Sequence, residues 1–146
     1  GLTTDQKAAL MAEYQCLPAF DDVKEALVGL KAAGHSLYAF SNGTADAIET
    51  LLAAAGIRNL FNGVVSTDDR HTFKPNPDVY EHLLKTTAAS ASDAWLISSN
   101  PFDVIGAVSY GLRSAWVQRS KNSIFDPWGI DPTLTITSLR ELGRLS

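Results

Sequence analysis

Residues 22–43 read DVKEALVGLKAAGHSLYAFSNG, and this stretch decides the fold class. Asp22 and Glu25 stand in the pattern of a capping box, and Val23, Ala26, Leu27, Leu30 and Ala33 recur at spacings of three and four. That periodicity predicts an amphipathic helix closed by Gly34. Residues 35–40, HSLYAF, form a short apolar, aromatic-rich run that reads as a strand, and Ser41-Asn42-Gly43-Thr44 turns the chain at its end. A helix followed at once by a strand and a polar turn is half of a repeating α/β unit.

The unit recurs outward as a pattern, not as a repeated sequence. Upstream, Thr3 and Thr4 precede DQKAALMAEY, whose Leu10, Met11 and Tyr14 fall at helical spacing before Pro18. Downstream, Ile48, Leu51, Leu52 and Ala55 share a helical face that Gly56 ends, and Gly63-Val64-Val65-Ser66 is a strand. Asn76 and Pro77 cap and open a helix over DVYEHLLKTTA, and residues 94–98 form a third strand. A helix is expected to begin near Asp103 and to end at Gly111. Residues 114–118 and 134–136 make two more strands before Ser138-x-x-Glu141 opens a final helix. The strands are continuously apolar, which argues for a parallel sheet with helices on both faces, a three-layer Rossmann-like α/β fold.

Composition bounds the function. A chain of 146 residues buries roughly 70% of its unfolded surface, enough for a single core. Twelve basic residues against sixteen acidic give a net charge of −4, and the basic ones are scattered, so no nucleic-acid footprint is expected. No apolar run approaches the roughly 20 residues of a membrane span, and the N-terminal GLTTDQK lacks the pattern of a signal peptide. These features point to a cytoplasmic protein without a membrane partner. The single cysteine, Cys16, cannot form an internal disulfide and reads as a small packed or half-exposed thiol. His35, His71 and His82 have no partner at metal-ligand spacing, so no metal ligand is assigned. Trp95 and Trp116 lie within strands and read as core, while Trp128 in its loop fits a cleft or an interface equally well.

Ligands of parallel sheets bind beyond the carboxyl ends of the strands. The residues there are Ser41-Asn42-Gly43, Ser66-Thr67-Asp68 leading to Lys74, and Ser98-Ser99-Asn100 leading to Asp103. Each group taken alone also reads as a turn, a helix cap or a solvated loop charge. Their convergence is what singles them out.

This layout resembles the haloacid dehalogenase superfamily. Its second motif, a strand ending in Ser or Thr before Asn-Gly, is matched by Leu37-Tyr38-Ala39-Phe40-Ser41-Asn42-Gly43. The third, a Lys-Pro pair before a helix, is matched by Lys74-Pro75-Asn76-Pro77-Asp78-Val79-Tyr80, and the fourth, an acidic loop, by Ser98-Ser99-Asn100-Pro101-Phe102-Asp103. Within the superfamily the order of SNG, KP-x-x-x-x-Y and SSN-x-x-D is most similar to the L-2-haloacid dehalogenases, and the likeness covers nearly the whole chain. Phosphatases of the superfamily carry a second carboxylate four residues before the last Asp to help hold Mg²⁺; here Ser99 occupies that position, which favours the metal-independent branch.

The resemblance implies a role for each matched residue. Ser41 would hold the substrate carboxylate, and Asn42 would lie near the departing halide. Lys74 would pair with the nucleophilic carboxylate and keep it ionised. Tyr80, Ser98 and Asn100 would hold the polar cluster, Asp103 would position Lys74 and the hydrolytic water, and Phe102 would face the substrate. The substrate would be a small 2-halocarboxylic acid, converted through an aspartyl ester to the 2-hydroxy acid without metal or cofactor. Phe102 stands where the family usually has Trp, and Pro101 is not the usual neighbour, which leaves the pocket's size open.

The family's nucleophile lies in an Asp-x-x-Gly-Thr type motif at the end of a first strand. No such motif occurs in this sequence. Residues 1–17 resemble the last part of the family's helical cap and residues 18–146 its Rossmann-like core. The expectation is therefore a piece of a longer polypeptide, inactive alone, with the N-terminal segment of the same protein as a partner. A homodimer using the cap helices is also implied, with Leu10, Met11 and Tyr14 at the contact. A Mg²⁺-dependent phosphatase and a non-catalytic binding or assembly product remain as alternatives.

Overall fold

A computed structural model describes residues 1–126 and 128–144. The chain divides into two compact units, Gly1–Ser66 and Thr67–Ser146. After two opening helices, strands are joined by a helix in each unit, and among the described residues every strand ladder is parallel.

The first unit opens with α1 (Thr4–Tyr14), whose first turn is closed by a capping box between Thr3 and Gln6. No residue of α1 is buried, so the Leu10, Met11 and Tyr14 face lies open. Cys16, just beyond it, is exposed rather than packed. Helix α2 (Val23–Ala32) follows, but Asp22 does not cap it through its side chain as its spacing from Glu25 suggests. The backbone of Asp22 is already helical, at φ −87° and ψ −11°, whereas a capping side chain needs the extended backbone that aims it at the amides of the first turn. Gly34, at φ +91°, turns the chain out of the helix in a conformation that a Cβ would oppose.

Strand β1 (Tyr38–Ser41) pairs with β2 (Gly63–Ser66), and α3 (Ala45–Ala54) is the crossover that packs on β2. Asn62 extends this ladder: its amide N–H donates to the Leu37 carbonyl at 2.7 Å and its side-chain oxygen accepts from the Leu37 amide at 2.9 Å. The register sets Ser41 opposite Ser66 at the carboxyl end.

The second unit contains α4 (Pro77–Thr87), β3 (Trp95–Ser98), α5 (Pro101–Tyr110), β4 (Arg113–Val117) and β5 (Leu134–Ile136). The strands lie in the order β3-β4-β5, with α5 packed on β3 and β4 and with α4 against α5. Val79, Tyr80, Val104, Ala107, Ala115 and Ile136 are fully or almost fully buried and form the heart of this core. Trp116 is buried as expected, but Trp95 is only half-buried, with the Arg113 guanidinium 5.3 Å from its ring centroid. The last helix is a 3-10 helix, Leu139–Arg144. One Glu141 carboxylate oxygen there accepts from the Thr137 amide, the Thr137 hydroxyl and the Ser138 amide, at 2.8 to 3.0 Å. Among the described residues no helix is long and apolar enough to cross a membrane.

Candidate active site

The polar residues at the strand ends form a cluster in each unit. In the first, Ser41 ends β1 half-buried, and its Oγ accepts from the Gly43 amide at 3.1 Å. The buried Ser66 hydroxyl donates to the Gly43 carbonyl at 2.7 Å. Both polar groups of the Gly43 backbone are thus held by serines at the ends of adjacent strands, which fixes the turn. Asn42 sits exposed in that turn.

The second cluster is built around Asp103. Helix α5 starts at Pro101, two residues before the start expected near Asp103, because Asn100 caps it. The Asn100 side-chain oxygen accepts from the Phe102 amide at 3.1 Å, and Pro101 at the first helical position has no N–H to satisfy. Asp103 therefore falls in the first turn, where its negative charge is favoured by the helix dipole. One carboxylate oxygen, Oδ2, accepts from Lys74 Nζ at 2.9 Å and from the Ser98 hydroxyl at 3.1 Å. Ser98 Oγ in turn accepts from the Asn100 amide at 3.0 Å, so the end of β3 and the cap of α5 are tied to the same carboxylate.

The Lys74 and Asp103 side chains are only 7% and 15% exposed. Desolvating two charges costs several kcal/mol each, by order of magnitude, and mutual attraction with further hydrogen bonds offsets that cost. The Ser98 hydroxyl supplies such a bond. Chemically the result is an ammonium fixed in a nearly dry site, able to attract an anionic group.

Tyr80 braces the pair from behind. It is fully buried, and its hydroxyl donates to the backbone carbonyl of Asp103 at 3.2 Å. Burial pushes its pKa far above the ordinary phenol value, and the Asp103 carboxylate pushes the same way, so the hydroxyl remains a donor. Phe102 projects from the first turn of α5, and its exposed ring meets Trp128 edge-on at a centroid distance of 5.6 Å.

The second unit thus brings Lys74, Ser98, Asn100, Tyr80 and Asp103 into one hydrogen-bonded set, from segments up to 29 residues apart. Phe102 joins it through the Asn100 cap, while Ser41 and Asn42 belong to the first unit's serine turn.

Two contributors escape a reading of strand ends. A Cβ on Gly106 would lie 2.2 Å from Tyr80 Oη and 2.6 Å from Pro75 Cβ, so only glycine lets α4 and the Lys74-Pro75 step seat against α5. The signal for it is a glycine inside a helix, three residues after Asp103, where it costs roughly 0.5–1 kcal/mol relative to alanine and so implies a close approach. Trp116 is the other: its indole N–H donates to the Ser99 carbonyl at 3.2 Å, tying β4 to the turn between β3 and α5.

The family model for haloacid dehalogenase-like hydrolases matches residues 4–117. The chain is 34% identical over 144 residues to (S)-2-haloacid dehalogenase 2 of Pseudomonas sp. strain CBS-3, covering 99% of this chain and 62% of that protein. It is 32% identical over 147 residues to (S)-2-haloacid dehalogenase of Pseudomonas sp. strain YL, with 99% and 63% covered. Among solved structures, L-2-haloacid dehalogenase from Xanthobacter autotrophicus with chloropropionic acid covalently bound matches with a TM-score of 0.87 at 26% identity, over 99% of this chain and 67% of that one. The chain spans less than two thirds of the length of these curated relatives. With the family model matched over most of its length, the chain belongs to the haloacid dehalogenase-like hydrolase family.

Proposed function

We propose that these residues are the core of an L-2-haloacid dehalogenase, which cleaves the carbon-halogen bond of short 2-halocarboxylic acids to give 2-hydroxy acids. The observation that carries the reading is the desolvated Lys74–Asp103 pair, 2.9 Å apart and braced by Ser98, in a chain 34% identical to an (S)-2-haloacid dehalogenase. An aspartate carboxylate, supplied by a part of the polypeptide outside these 146 residues, attacks the carbon bearing the halogen. The halide leaves with the bonding electron pair. Water then attacks the ester carbonyl, which restores the carboxylate and releases the 2-hydroxy acid and a proton.

In this reading Lys74 keeps the nucleophile ionised through its fixed positive charge, and Asp103 holds Lys74 and orients the water. Ser98, Asn100 and Tyr80 keep Asp103 in place. Ser41 binds the substrate carboxylate, Asn42 lies near the halide and Phe102 faces the substrate. Residues 1–17 are the end of a helical cap and residues 18–146 the Rossmann-like core. The enzyme works without metal or cofactor in the cytoplasm, as a homodimer in which the open Leu10, Met11 and Tyr14 face of α1 is covered.

The test is halide release by the full-length polypeptide from L-2-chloropropanoate in the presence of chelator, with 2-hydroxypropanoate formed in equal amount. Lys74→Met is expected to abolish it. Absence of halide release together with Mg²⁺-stimulated hydrolysis of a phosphate ester would reverse the reading in favour of a phosphatase.

A further inference from the structure

Among the described residues of Thr67–Ser146, the large apolar side chains that stand exposed are Phe73, Phe102, Ile124 and Trp128. Their distribution is not random along the chain. Phe73 directly precedes Lys74, and Phe102 directly precedes Asp103. Ile124 and Trp128 lie in the long loop after β4, and that loop is fastened to the turn that carries the cluster.

The fastening runs through aromatic rings. Trp116, near the end of β4, donates its indole N–H to the Ser99 carbonyl at 3.2 Å, and Phe125 packs edge-on against Trp116 at a centroid distance of 5.1 Å. The Gln118 side-chain amide donates to the Ser123 carbonyl at 2.9 Å, which folds the loop back on its own start. Trp128 then meets Phe102 edge-to-face at 5.6 Å. An edge-to-face pair contributes about 0.5–1.5 kcal/mol beyond area burial, so the two rings hold each other's orientation although 44% of Phe102 and 64% of Trp128 remain exposed. Apolar surface left open on two mutually braced rings, one of them on the residue that directly precedes Asp103, fits the small apolar substituent of a ligand whose charged head meets the ion pair.

Resting on the dehalogenase reading, we infer that Trp128, oriented by Phe102, is a specificity-determining residue that contacts the apolar substituent on C2 of the 2-haloacid. The loop after β4 therefore takes part in choosing among haloacids, and Phe102 acts both as a contact and as the support that sets the indole.

The experiment compares the full-length polypeptide with its Trp128→Ala and Trp128→Phe variants on chloroacetate, which has no substituent on C2, and on L-2-chloropropanoate and L-2-chlorobutanoate. Because a methylene-sized group in an apolar pocket discriminates roughly 10- to 200-fold, Trp128→Ala is expected to lower kcat/KM for the substituted acids, relative to chloroacetate, about tenfold. Trp128→Phe, which keeps an aromatic edge, retains most of the ratio. A ratio for Trp128→Ala that rises, or that stays within about twofold of the parent, overturns the inference while leaving the dehalogenase reading intact. Absence of halide release by the parent protein from all three acids overturns the dehalogenase reading itself, and the assignment of Trp128 with it.

Discussion

Gly106→Ala is the smallest substitution expected to disturb the candidate site without removing any of its polar atoms. Its added Cβ would stand 2.2 Å from Tyr80 Oη, 2.6 Å from Pro75 Cβ and 3.0 Å from Tyr80 Cζ. Apolar contacts are comfortable at about 3.5–4.0 Å, so both neighbours must retreat by roughly 1 Å. Tyr80 is fully buried, so it cannot swing out into solvent. Overpacking of this kind costs about 1–3 kcal/mol. Pro75 is bonded to Lys74, so its retreat is transmitted to the 2.9 Å pair with Asp103 and takes it beyond hydrogen-bonding distance. A misplacement of about 1 Å at a reacting centre is worth on the order of a hundredfold in rate. Urea unfolding and halide release by the full-length polypeptide read the two consequences separately. Gly29→Ala in α2 is the matched control: apart from the helix's own backbone nothing comes within 4 Å of its Cβ, and alanine there is expected to raise stability by about 0.5–1 kcal/mol. Adding Tyr80→Phe to Gly106→Ala removes the closest contact and recovers part of the stability. If Gly106→Ala unfolds at the parent's urea midpoint and releases halide at the parent's rate, the argument from close approach is wrong.

Three further outcomes follow from the same geometry. Lys74→Met leaves the Asp103 carboxylate desolvated with only part of its support and is expected to cost about 3 kcal/mol in denaturant unfolding, whereas Lys74→Met with Asp103→Leu recovers most of that without restoring halide release. Tyr80 holds its proton in the folded state above the pH at which the unfolded phenol, with its value of 10.0, loses it. Below that pH its contribution is constant; above it the unfolded state binds fewer protons, so stability falls by up to about 1.4 kcal/mol per pH unit, and unfolding midpoints between pH 8 and 11 should show this slope diminished in Tyr80→Phe. Ser114 is fully buried in β4 with no hydrogen-bond partner for its hydroxyl among the described residues, so Ser114→Ala is expected to be neutral or to stabilise by about 1 kcal/mol in urea titration.

The elements legible in the sequence are those whose cause is local. Gly34 and Gly111 end their helices through a backbone conformation that glycine adopts at little cost, and Asn76 and Asn100 cap theirs with side chains that reach only two residues. The strands follow from continuous apolar runs, and the rule that ligands gather at strand ends led to Ser98, Lys74 and Asp103. Asp22 shows the limit of local pattern, since the spacing to Glu25 is right but the backbone of the cap residue is helical and its side chain makes no capping hydrogen bond. Gly106 and Trp128 make contacts between segments far apart in sequence; a glycine inside a helix hints at a close approach, but no pattern along the chain names the Tyr80, Pro75 or Phe102 partner. Tyr80 lies between these cases. Its place in the motif marks it for the site, but only the packing of α4 against α5 aims its hydroxyl at the Asp103 carbonyl rather than at the carboxylate.

The geometry of the lysine-carboxylate pair is consequently a property of helix packing more than of loop chemistry. Lys74 comes from a loop, and an unsupported lysine on a loop would sample many rotamers at an entropic cost of up to about 2 kcal/mol on being fixed. Here the residue that follows it, Pro75, rests on the bare backbone of Gly106, one helical turn beyond the carboxylate that Lys74 must meet. The same bare turn admits Tyr80, which holds the Asp103 backbone, and the ring of Tyr80 lies 5.8 Å from that of Tyr110 at the far end of α5. Both partners of the ion pair are therefore referenced to one helix. Substitutions along the α4–α5 contact should therefore alter halide release by the full-length polypeptide even where they remove no polar group of the cluster.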